Sequence, residues 1–254
     1  MNINWEVTQV DVQTVSELIE NQRLKPFFVE RTKWNLARLR PKVTKNRFWR
    51  AMVCMRLTTL AKSGPGTNLA KFQALKPFPL AYETMLRRTS KKDFIYRSLV
   101  ENGVGRHPNK ISEELARNFS VLKSRRGTKL LLQCNILVPR VCRNTEIFVA
   151  HIVNDLFKGF GPKQSRNVLQ ALGLTRYEIP LDSRVTKWLN ENLDFPFCVT
   201  PTALSDKHIY RLISDAICVL CSKANVVPCL LDAAIFSARD GDGWTPEALR
   251  AMRC

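Results

Sequence analysis

The sequence contains little that would support a disulfide framework, a metal centre or a membrane span. It has eight cysteines and three histidines among 254 residues, scattered along the chain. So few cysteines do not make a disulfide scaffold in a chain of this size, and several lie in apolar helical patterns typical of reduced core residues. No apolar run approaches the roughly 18 residues of a membrane-spanning helix, and the first residues lack the segments of a signal peptide. We therefore expect a soluble intracellular protein without a bound metal.

Acidic side chains are scarce in the first half of the chain. Residues 1–127 carry 25 basic and 10 acidic side chains, whereas residues 128–254 carry 15 and 12, and the whole chain has a net charge of +18. Between Arg31 and Tyr82 there are twelve Lys or Arg and no Asp or Glu. A basic run is usually just a solvated face, but a window of this length without counter-charge indicates a surface that follows phosphates. Such binding weakens steeply with salt.

The strand-like alternation of apolar and polar residues is also scarce, whereas helical spacing recurs along the whole chain. Residues 11–24 are an example, because their apolar residues fall on one face. Spacing, glycine and proline breaks and capping signals predict helices over residues 11–24, 26–39, from 44 onward, 79–88, 90–102, 110–122, 128–137, 144–157, 162–172, 183–192, 201–224, 228–238 and from Pro246, which Thr245 caps. The sequence therefore predicts an all-α fold.

One stretch, residues 156–185, contains the strongest functional signal. An apolar helical pattern over residues 144–157 is followed by Gly159, Phe160 and Gly161, and a second helical pattern begins at the next residue, a proline. Two glycines allow a tight turn with positive φ, and proline suits the first turn of a helix. The free amide groups of such a turn can bind a phosphate oxygen without reading a base. We therefore predict a hairpin that contacts the DNA backbone.

Lys163 lies in the first turn of the second helix, and Asp182 follows it 19 residues later. A helix, a stop at Gly173 and a short return can bring the carboxylate back beside the amine. This arrangement resembles the helix-hairpin-helix (HhH-GPD) DNA glycosylase superfamily, in which a Leu-Pro-Gly-Val-Gly-x-Lys segment is followed at a similar distance by Val-Asp. The matching residues here are Phe157-Lys158-Gly159-Phe160-Gly161-Pro162-Lys163 and then Leu181-Asp182. In that superfamily, the glycosylases with lysine at this position are the bifunctional ones.

Each part of this pattern also has a purely structural interpretation. A Gly-x-Gly before a helix is common, and a lysine in a first helical turn is usually a solvated surface residue. Asp182 can serve simply as the N-cap of the helix over residues 183–192. The joint occurrence of all these parts at the expected spacing favours the glycosylase interpretation.

The resemblance implies a two-lobed, all-α fold with the active site in the cleft between the lobes. A six-helix lobe that includes the hairpin would span residues 45–177, and residues 1–44 and 178–254 would form the second lobe. Lys163 and Asp182 would then face each other across the cleft, a usual place for a ligand pocket.

The resemblance also suggests residues that contact the duplex and the extruded base. The turn that enters the duplex in family members corresponds loosely to the segment that begins at Arg56 and to the loop that contains Lys62. The Gln-Gln-Thr or Asn-Asn of relatives is absent there, and a plain basic loop is an equal alternative. Candidate residues for the base pocket are Gln164, Trp34 and Trp244, any of which can be ordinary core.

The activity that the resemblance implies is base-excision repair. Lys163 would displace an oxidised base, with 8-oxoguanine the first candidate, through a Schiff base that permits strand cleavage by β-elimination, and Asp182 would assist. The hairpin resembles the 8-oxoguanine branch, and the spacing of Cys198, Cys218, Cys221 and Cys229 departs from the Cys-x6-Cys-x2-Cys-x5-Cys of relatives with an iron–sulfur cluster. No metal or cofactor is needed, although the resemblance allows a structural potassium or sodium ion on hairpin carbonyls.

Two alternatives to this activity stay open. One is a monofunctional glycosylase in which Asp182 activates water and Lys163 contacts phosphate. The other is a non-catalytic helix-hairpin-helix DNA-binding protein. In the bifunctional case we expect a monomer that acts on double-stranded DNA containing a damaged base, in the cytoplasm and on the nucleoid of a prokaryote, with a nuclear location left open.

Overall fold

The structure, a computed structural model, describes residues 5–59, 61, 64–241 and 243–251. Within these residues the chain forms α-helices, one short 3-10 helix and no strand, so the predicted all-α class is confirmed. The helices are α1 (Gln9–Gln22), α2 (Pro26–Asn35), α3 (Lys45–Leu57), α4 (Asn68–Ala74), α5 (Tyr82–Leu86), α6 (Lys91–Glu101), α7 (Pro108–Lys123), α8 (Arg125–Ile136), α9 (Arg143–Leu156), α10 (Pro162–Ala171), α11 (Ser183–Asn192), the 3-10 helix (Ala203–Ser205), α12 (Lys207–Lys223), α13 (Pro228–Asp240) and α14 (Pro246–Ala251).

Local capping sets the starts of several helices, and it explains where two predictions were wrong. Asp206 accepts hydrogen bonds from two backbone amides of α12, so the predicted helix over residues 201–224 begins only at residue 207. The helix α4 was not predicted, because it is short and follows a Gly-Pro-Gly run, but Thr67 caps it. At the start of α6, the Ser90 hydroxyl donates to the Asp93 carboxylate and accepts no backbone N–H.

The buried apolar side chains form two main clusters. The larger one draws its residues from between Val43 and Leu174, and the second draws on residues 5–36 and 179–235. The chain therefore starts in one lobe, builds the other and returns to the first, and α1 and α2 pack against α13. The predicted two-lobed architecture is confirmed, while the exact lobe boundaries stay a prediction.

Several arginines in the acid-free window between Arg31 and Tyr82 donate hydrogen bonds to backbone carbonyls of the protein itself. Arg40 is buried and donates to the carbonyl oxygens of Gly173, Val138 and Asn35. Guanidinium groups elsewhere in the window act in the same way: Arg47 donates to the carbonyls of Pro41 and Lys42, and Arg50 donates to that of Gln73. Arg40, which is buried, therefore lies off any phosphate-following surface, while the predicted surface itself stays a prediction.

The helices of the described residues are short or amphipathic. None of them alone has the length and apolar character needed to cross a membrane. The helices α12 and α13 reach the length and apolar character of a membrane span only as a pair, and the chain bends by 95° between them. Both helices contribute buried residues to the second cluster.

Candidate active site

The hairpin between α9 and α10 forms as predicted in outline but uses its two glycines differently. Gly159 has a φ of +80°, a left-handed conformation that favours glycine, whereas Gly161 has a φ of −78° and serves as the N-cap of α10. Phe160, between them, is buried and its ring meets that of Phe157 edge-on, with 6.4 Å between centroids. Gly161 is exposed, and no side chain caps the first amides of α10.

Polar side chains from α3 and α7 hold the hairpin from below. The guanidinium group of Arg56 donates through Nε and Nη2 to one oxygen of Glu114, at 2.7 and 2.6 Å. Asn118 accepts from the amide of Lys158 at 2.9 Å and donates to its carbonyl at 2.8 Å. The side chain of Arg56 is buried and paired beneath Gly159, so it supports the hairpin from within, and its direct contact with DNA stays a prediction.

Gly159→Ala should destabilise the hairpin. A Cβ atom there would lie 2.5 Å from both Arg56 Nε and a Glu114 oxygen, in a left-handed backbone conformation. We expect the free energy of unfolding to fall by about 1–3 kcal/mol, measured by denaturant titration, together with weaker binding to duplex DNA. Gly161→Ala is the matched control, because its Cβ meets nothing within 4 Å. Equal losses in both variants would contradict a special role for Gly159.

Lys163 lies on α10, one residue after the proline that begins the helix, and its side chain is partly buried. Burial lowers the pKa of the Lys163 amine, the Asp182 carboxylate opposes that shift, and the positive charge of Arg184 adds to it. The amine and the Asp182 carboxylate therefore interact electrostatically. Among the ion pairs of the described residues, Asp182 pairs with Arg184 and not with Lys163. An amine with a lowered pKa is more often neutral, which is the form that can attack carbon.

Asp182 begins α11 and is held from two sides. Its side chain accepts hydrogen bonds from the backbone amides of Arg184 and Val185, at 2.9 and 3.1 Å, so the N-cap interpretation is confirmed. The guanidinium group of Arg184 donates to the other oxygen through Nε, at 2.9 Å, and through Nη2. Burial alone raises the pKa of Asp182, but Arg184, the amide of Val185 and Lys163 outweigh it, so the pKa lies below its usual value. Asp182 is therefore a carboxylate near neutral pH.

Arg184 is a site residue that the sequence analysis missed. Besides Asp182, it contacts Asp240 at 3.0 Å through Nη1, and its guanidinium carbon lies 4.3 Å from the centre of the Phe236 ring. That ring stacks on Phe27, with 3.9 Å between centroids. The spacing of residues 232, 236 and 240 on α13 gives one helical stripe, which was a usable signal for this group.

A second charged group, formed by Asp232 and Arg31, is electrostatically coupled to the same carboxylate. Burial raises the pKa of Asp232 to about 6, with Arg31 opposing the shift and Asp182 adding to it. The amide of Gln170 donates to Asp232 at 2.6 Å. Burial lowers the pKa of Arg31, and Asp232 opposes that shift. These electrostatic couplings place Arg31, Asp232, Asp182 and Arg184 in one region, where α2, α10, α11 and α13 meet.

The structure separates the three residues predicted for the base pocket. Trp34 donates to the carbonyl of Ala171 at 3.0 Å, so it lies at the far end of α10 from Lys163. Gln164 is buried, donates to the Thr59 hydroxyl at 2.6 Å and accepts from Asn167. It therefore joins α10 to the turn after α3.

Of the three candidates for the base pocket, Trp244 is the one that lies beside residues that contact Arg184 or stack on its neighbours. Its indole donates to the carbonyl of Asp240 at 3.1 Å, and its ring lies 6.0 Å from that of Phe27. Trp244 thus extends the aromatic stack of Phe27 and Phe236 behind Arg184. Lys62, predicted in the loop after α3, lies outside the described residues.

Other concave or metal-binding features do not coincide with these residues. A cavity of about 560 Å³ lies in the lobe that contains the larger apolar cluster, and none of the predicted site residues lines it. Its lining residues are Pro77, Phe78, Pro79, Thr84, Arg88, Phe94, Arg97, Ser98, Glu101 and Asn102. Within the part of the chain that the structure describes, no group of three or more His, Cys, Asp or Glu side chains is placed to hold a metal ion.

The fold and the site define a two-lobed helical protein in which a lysine after a hairpin is electrostatically coupled to an aspartate at the start of α11. Comparison of the sequence with family models and with curated proteins finds no match. The structure, however, is similar to that of Tm1821, the 8-oxoguanine DNA glycosylase of Thermotoga maritima, with a TM-score of 0.57 and 14% identity over 91% of this chain and 92% of that one.

A second similar structure is the 8-oxoguanine glycosylase/lyase of Methanocaldococcus jannaschii, solved with a 15mer DNA containing 8-oxoguanine. The TM-score is 0.59, with 13% identity over 92% of this chain and 99% of that one. Both matches cover nearly the whole chain. The protein therefore shares the overall fold of these two 8-oxoguanine glycosylase structures.

Proposed function

We propose that this protein is a DNA glycosylase with lyase activity that removes an oxidised purine through a covalent intermediate on Lys163. The observation that carries the proposal is the placement of a partly buried lysine, with a lowered pKa, near a carboxylate that Arg184 and two backbone amides keep ionised. A nucleophile and a fixed negative charge beside it are what displacement at a sugar carbon requires. The fold shared with 8-oxoguanine glycosylases supports the same activity.

Binding to DNA would begin with charge and with the hairpin. The net charge of +18 attracts a polyanion, and the hairpin offers free amides at the N-terminus of α10. The amides hold a phosphate and fix the register of the duplex without reading sequence. Because Lys163 lies in the same helical turn, this grip would place it beside the sugar of a nearby nucleotide.

The chemistry would follow extrusion of the damaged nucleotide from the duplex. The lone pair of the neutral Lys163 amine forms a bond to the sugar C1′, and the bond from C1′ to the base breaks with its electron pair going to the base. The departing base takes up a proton while the amine loses one. The nitrogen lone pair then forms the C1′=N bond as the C1′–O4′ bond breaks, and O4′ takes up a proton, which gives a protonated Schiff base. Transfer of a C2′ proton to a base, such as the released nucleobase, lets the electrons of that C–H bond expel the 3′ phosphate. The Asp182 carboxylate stabilises the positive charge that develops on the sugar.

Asp232 and its surroundings favour a guanine-type base. A carboxylate accepts hydrogen bonds only, and the Watson–Crick edge of guanine presents adjacent N–H donors at N1 and N2. Gln170 donates to one oxygen of Asp232, which leaves acceptor capacity on the other. The guanidinium group of Arg31, which is electrostatically coupled to Asp232, can donate to a base carbonyl. The chemistry of this group therefore fits an oxidised guanine better than an oxidised pyrimidine.

The test is a panel of duplex oligonucleotides with single lesions, assayed with and without alkali. The proposal expects 8-oxoguanine duplexes to be nicked without alkali and cleaved faster than duplexes with oxidised pyrimidines. Nicking only after alkali would favour the alternative in which Asp182 activates water. Binding without any base release would leave a DNA-binding protein and would refute the proposal.

Asp232→Asn should separate recognition of the base from chemistry on the sugar. An amide offers one acceptor and one donor, so one guanine donor would lose its partner. We expect 8-oxoguanine excision to fall about 10–100-fold, from the roughly 1–3 kcal/mol of a bidentate contact, in single-turnover assays. Cleavage at a pre-formed abasic site, which has no base to recognise, should be unchanged. Parallel losses on both substrates would contradict the assignment.

A further inference from the structure

The segment that carries Asp182 has no helical structure of its own, yet other parts of the protein fix it closely. This connector, residues 172–182, runs from the end of α10 to the start of α11. The buried carboxylate of Glu146 on α9 accepts hydrogen bonds from three consecutive amides of the connector, those of Arg176, Tyr177 and Glu178, at 2.9, 3.0 and 2.8 Å. Buried amides outside a helix need such partners, and here one side chain supplies all three.

The connector is also tied to the helix that carries Lys163. Arg166, one turn after Lys163 on α10, donates to one oxygen of Glu178 at 3.1 and 2.7 Å. The other oxygen of Glu178 accepts from the Ser214 hydroxyl at 2.9 Å. Both members of the ion pair are almost fully buried, at 2% and 0% exposure of the side chain. A buried pair with this many partners is rigid, because displacement of either side chain would leave an unpaired charge.

Tyr210 on α12 reaches the last residues before Asp182. Its hydroxyl donates to the carbonyl of Ile179 at 2.9 Å and accepts from the amide of Leu181 at 2.9 Å, so it bridges both sides of Pro180. The guanidinium carbon of Arg166 lies 4.5 Å from the centre of the Tyr210 ring. One phenol therefore touches both the residue before Asp182 and a residue on the helix of Lys163.

We propose that Tyr210, with the buried Arg166–Glu178 pair, is a positioning device that sets the place of Asp182 relative to Lys163. The chain of contacts runs from α10 through Arg166 to Tyr210 and Glu178, and from these to the backbone on either side of Pro180. Tyr210 is a positioning residue, because it contacts the backbone next to Asp182 and acts on the reaction only through it. The inference rests on the proposed function, since it concerns the geometry of the lysine–aspartate pair.

Tyr210→Phe tests the proposal, because it removes the hydroxyl and its two hydrogen bonds but keeps the ring that faces Arg166. We expect the single-turnover rate of 8-oxoguanine excision at saturating enzyme to fall up to about 100-fold, the effect of a misplacement of about 1 Å. The dissociation constant for lesion DNA should stay within about twofold of the wild type, because the hairpin is untouched. Tyr82→Phe, another buried tyrosine in the first lobe, is the matched control and should keep the wild-type rate.

A double-mutant comparison distinguishes positioning from general stabilisation. If Tyr210 acts through Asp182, Tyr210→Phe should slow the wild type strongly but add little to Asp182→Asn. An equal slowing in both backgrounds would overturn the proposal, and so would a wild-type rate in Tyr210→Phe. Arg166→Lys, which keeps the charge but loses the forked contact with Glu178, provides the same comparison if Tyr210→Phe is unfolded at the assay temperature.

The outcome for Lys163 distinguishes failure of this proposal from failure of the proposed function. If Lys163→Gln loses the covalent adduct while Tyr210→Phe is unaffected, the positioning device is wrong and the function stands. If Lys163→Gln keeps the adduct, the proposed function fails, and the inference that rests on it fails too.

Discussion

Replacement of Lys163 by glutamine should abolish covalent trapping of the protein on DNA. Borohydride reduces a Schiff base to a stable amine, so the wild type should yield a cross-linked adduct with 8-oxoguanine duplexes. Glutamine has nearly the length of lysine but no nucleophilic amine, so the adduct should fall to background on lesion DNA and on abasic DNA alike. The measurement is the fraction of labelled DNA shifted on a denaturing gel.

The control for this variant is Lys92→Gln. Lys92 is the second residue of α6, as Lys163 is of α10, and it is exposed. Lys92→Gln removes one positive charge, as Lys163→Gln does, but it should give the same yield of cross-linked DNA as the wild type. An undiminished adduct in Lys163→Gln would show that another amine performs the reaction.

The pH dependence of the wild type should report the same amine. Burial lowers the pKa of Lys163, and only the neutral amine attacks. The single-turnover rate should therefore rise with pH below that pKa and become level above it. The levelling should occur below the roughly 10.4 of a free lysine. In Arg184→Gln, a positive charge that helps to lower the pKa of Lys163 is lost, so the rising limb should move to higher pH.

Asp182→Asn should leave DNA binding intact while base excision falls about 10²–10⁴-fold, as for loss of a catalytic acid–base or charge-stabilising group. The amide oxygen can still cap α11, so the helix should form. The charge that stabilises the developing sugar cation is lost, and the amide nitrogen would face the guanidinium donors of Arg184. Single-turnover excision and equilibrium binding on the same duplex would measure the two effects separately.

The matched control for Asp182→Asn is Asp206→Asn. Asp206 caps α12 in the same way, by accepting from the amides of His208 and Ile209 at 2.8 and 3.0 Å, and it is exposed. It should show the same small change in stability with normal excision. Near-normal excision in Asp182→Asn would remove Asp182 from the mechanism.

Local signals predicted much of the fold and the centre of the site. Helical spacing, a proline at a helix start and a glycine at a helix end are signals that span only a few neighbouring residues. The hairpin and the helix after it could be predicted from such signals alone. The spacing of Lys163 and Asp182 was informative because only one helix and one connector separate them. A capping signal does not reveal whether the capping residue has a second role. Asp182 caps α11 and also interacts electrostatically with the Lys163 amine.

The residues that the sequence analysis misjudged are those whose partners lie far along the chain. Arg56 looked free in a basic segment, but its partner Glu114 is 58 residues away. Trp34 packs on the carboxyl end of α10, 137 residues on. The stripe of residues 232, 236 and 240 marks one face of α13, but only the packing of α13 beside α11 brings that face to Arg184. Pairings of this kind depend on tertiary packing, which no short pattern encodes.

The stack of Phe27, Phe236 and Trp244 has a consequence for the way the protein matures on the ribosome. The ring of Phe27 is synthesised long before the rings of Phe236 and Trp244. A nascent chain therefore contains the hairpin, Lys163 and Asp182 well before α13 arrives with Asp232 and Phe236. Under the proposed function, such a chain lacks the residues proposed to contact the base until α13 has been synthesised.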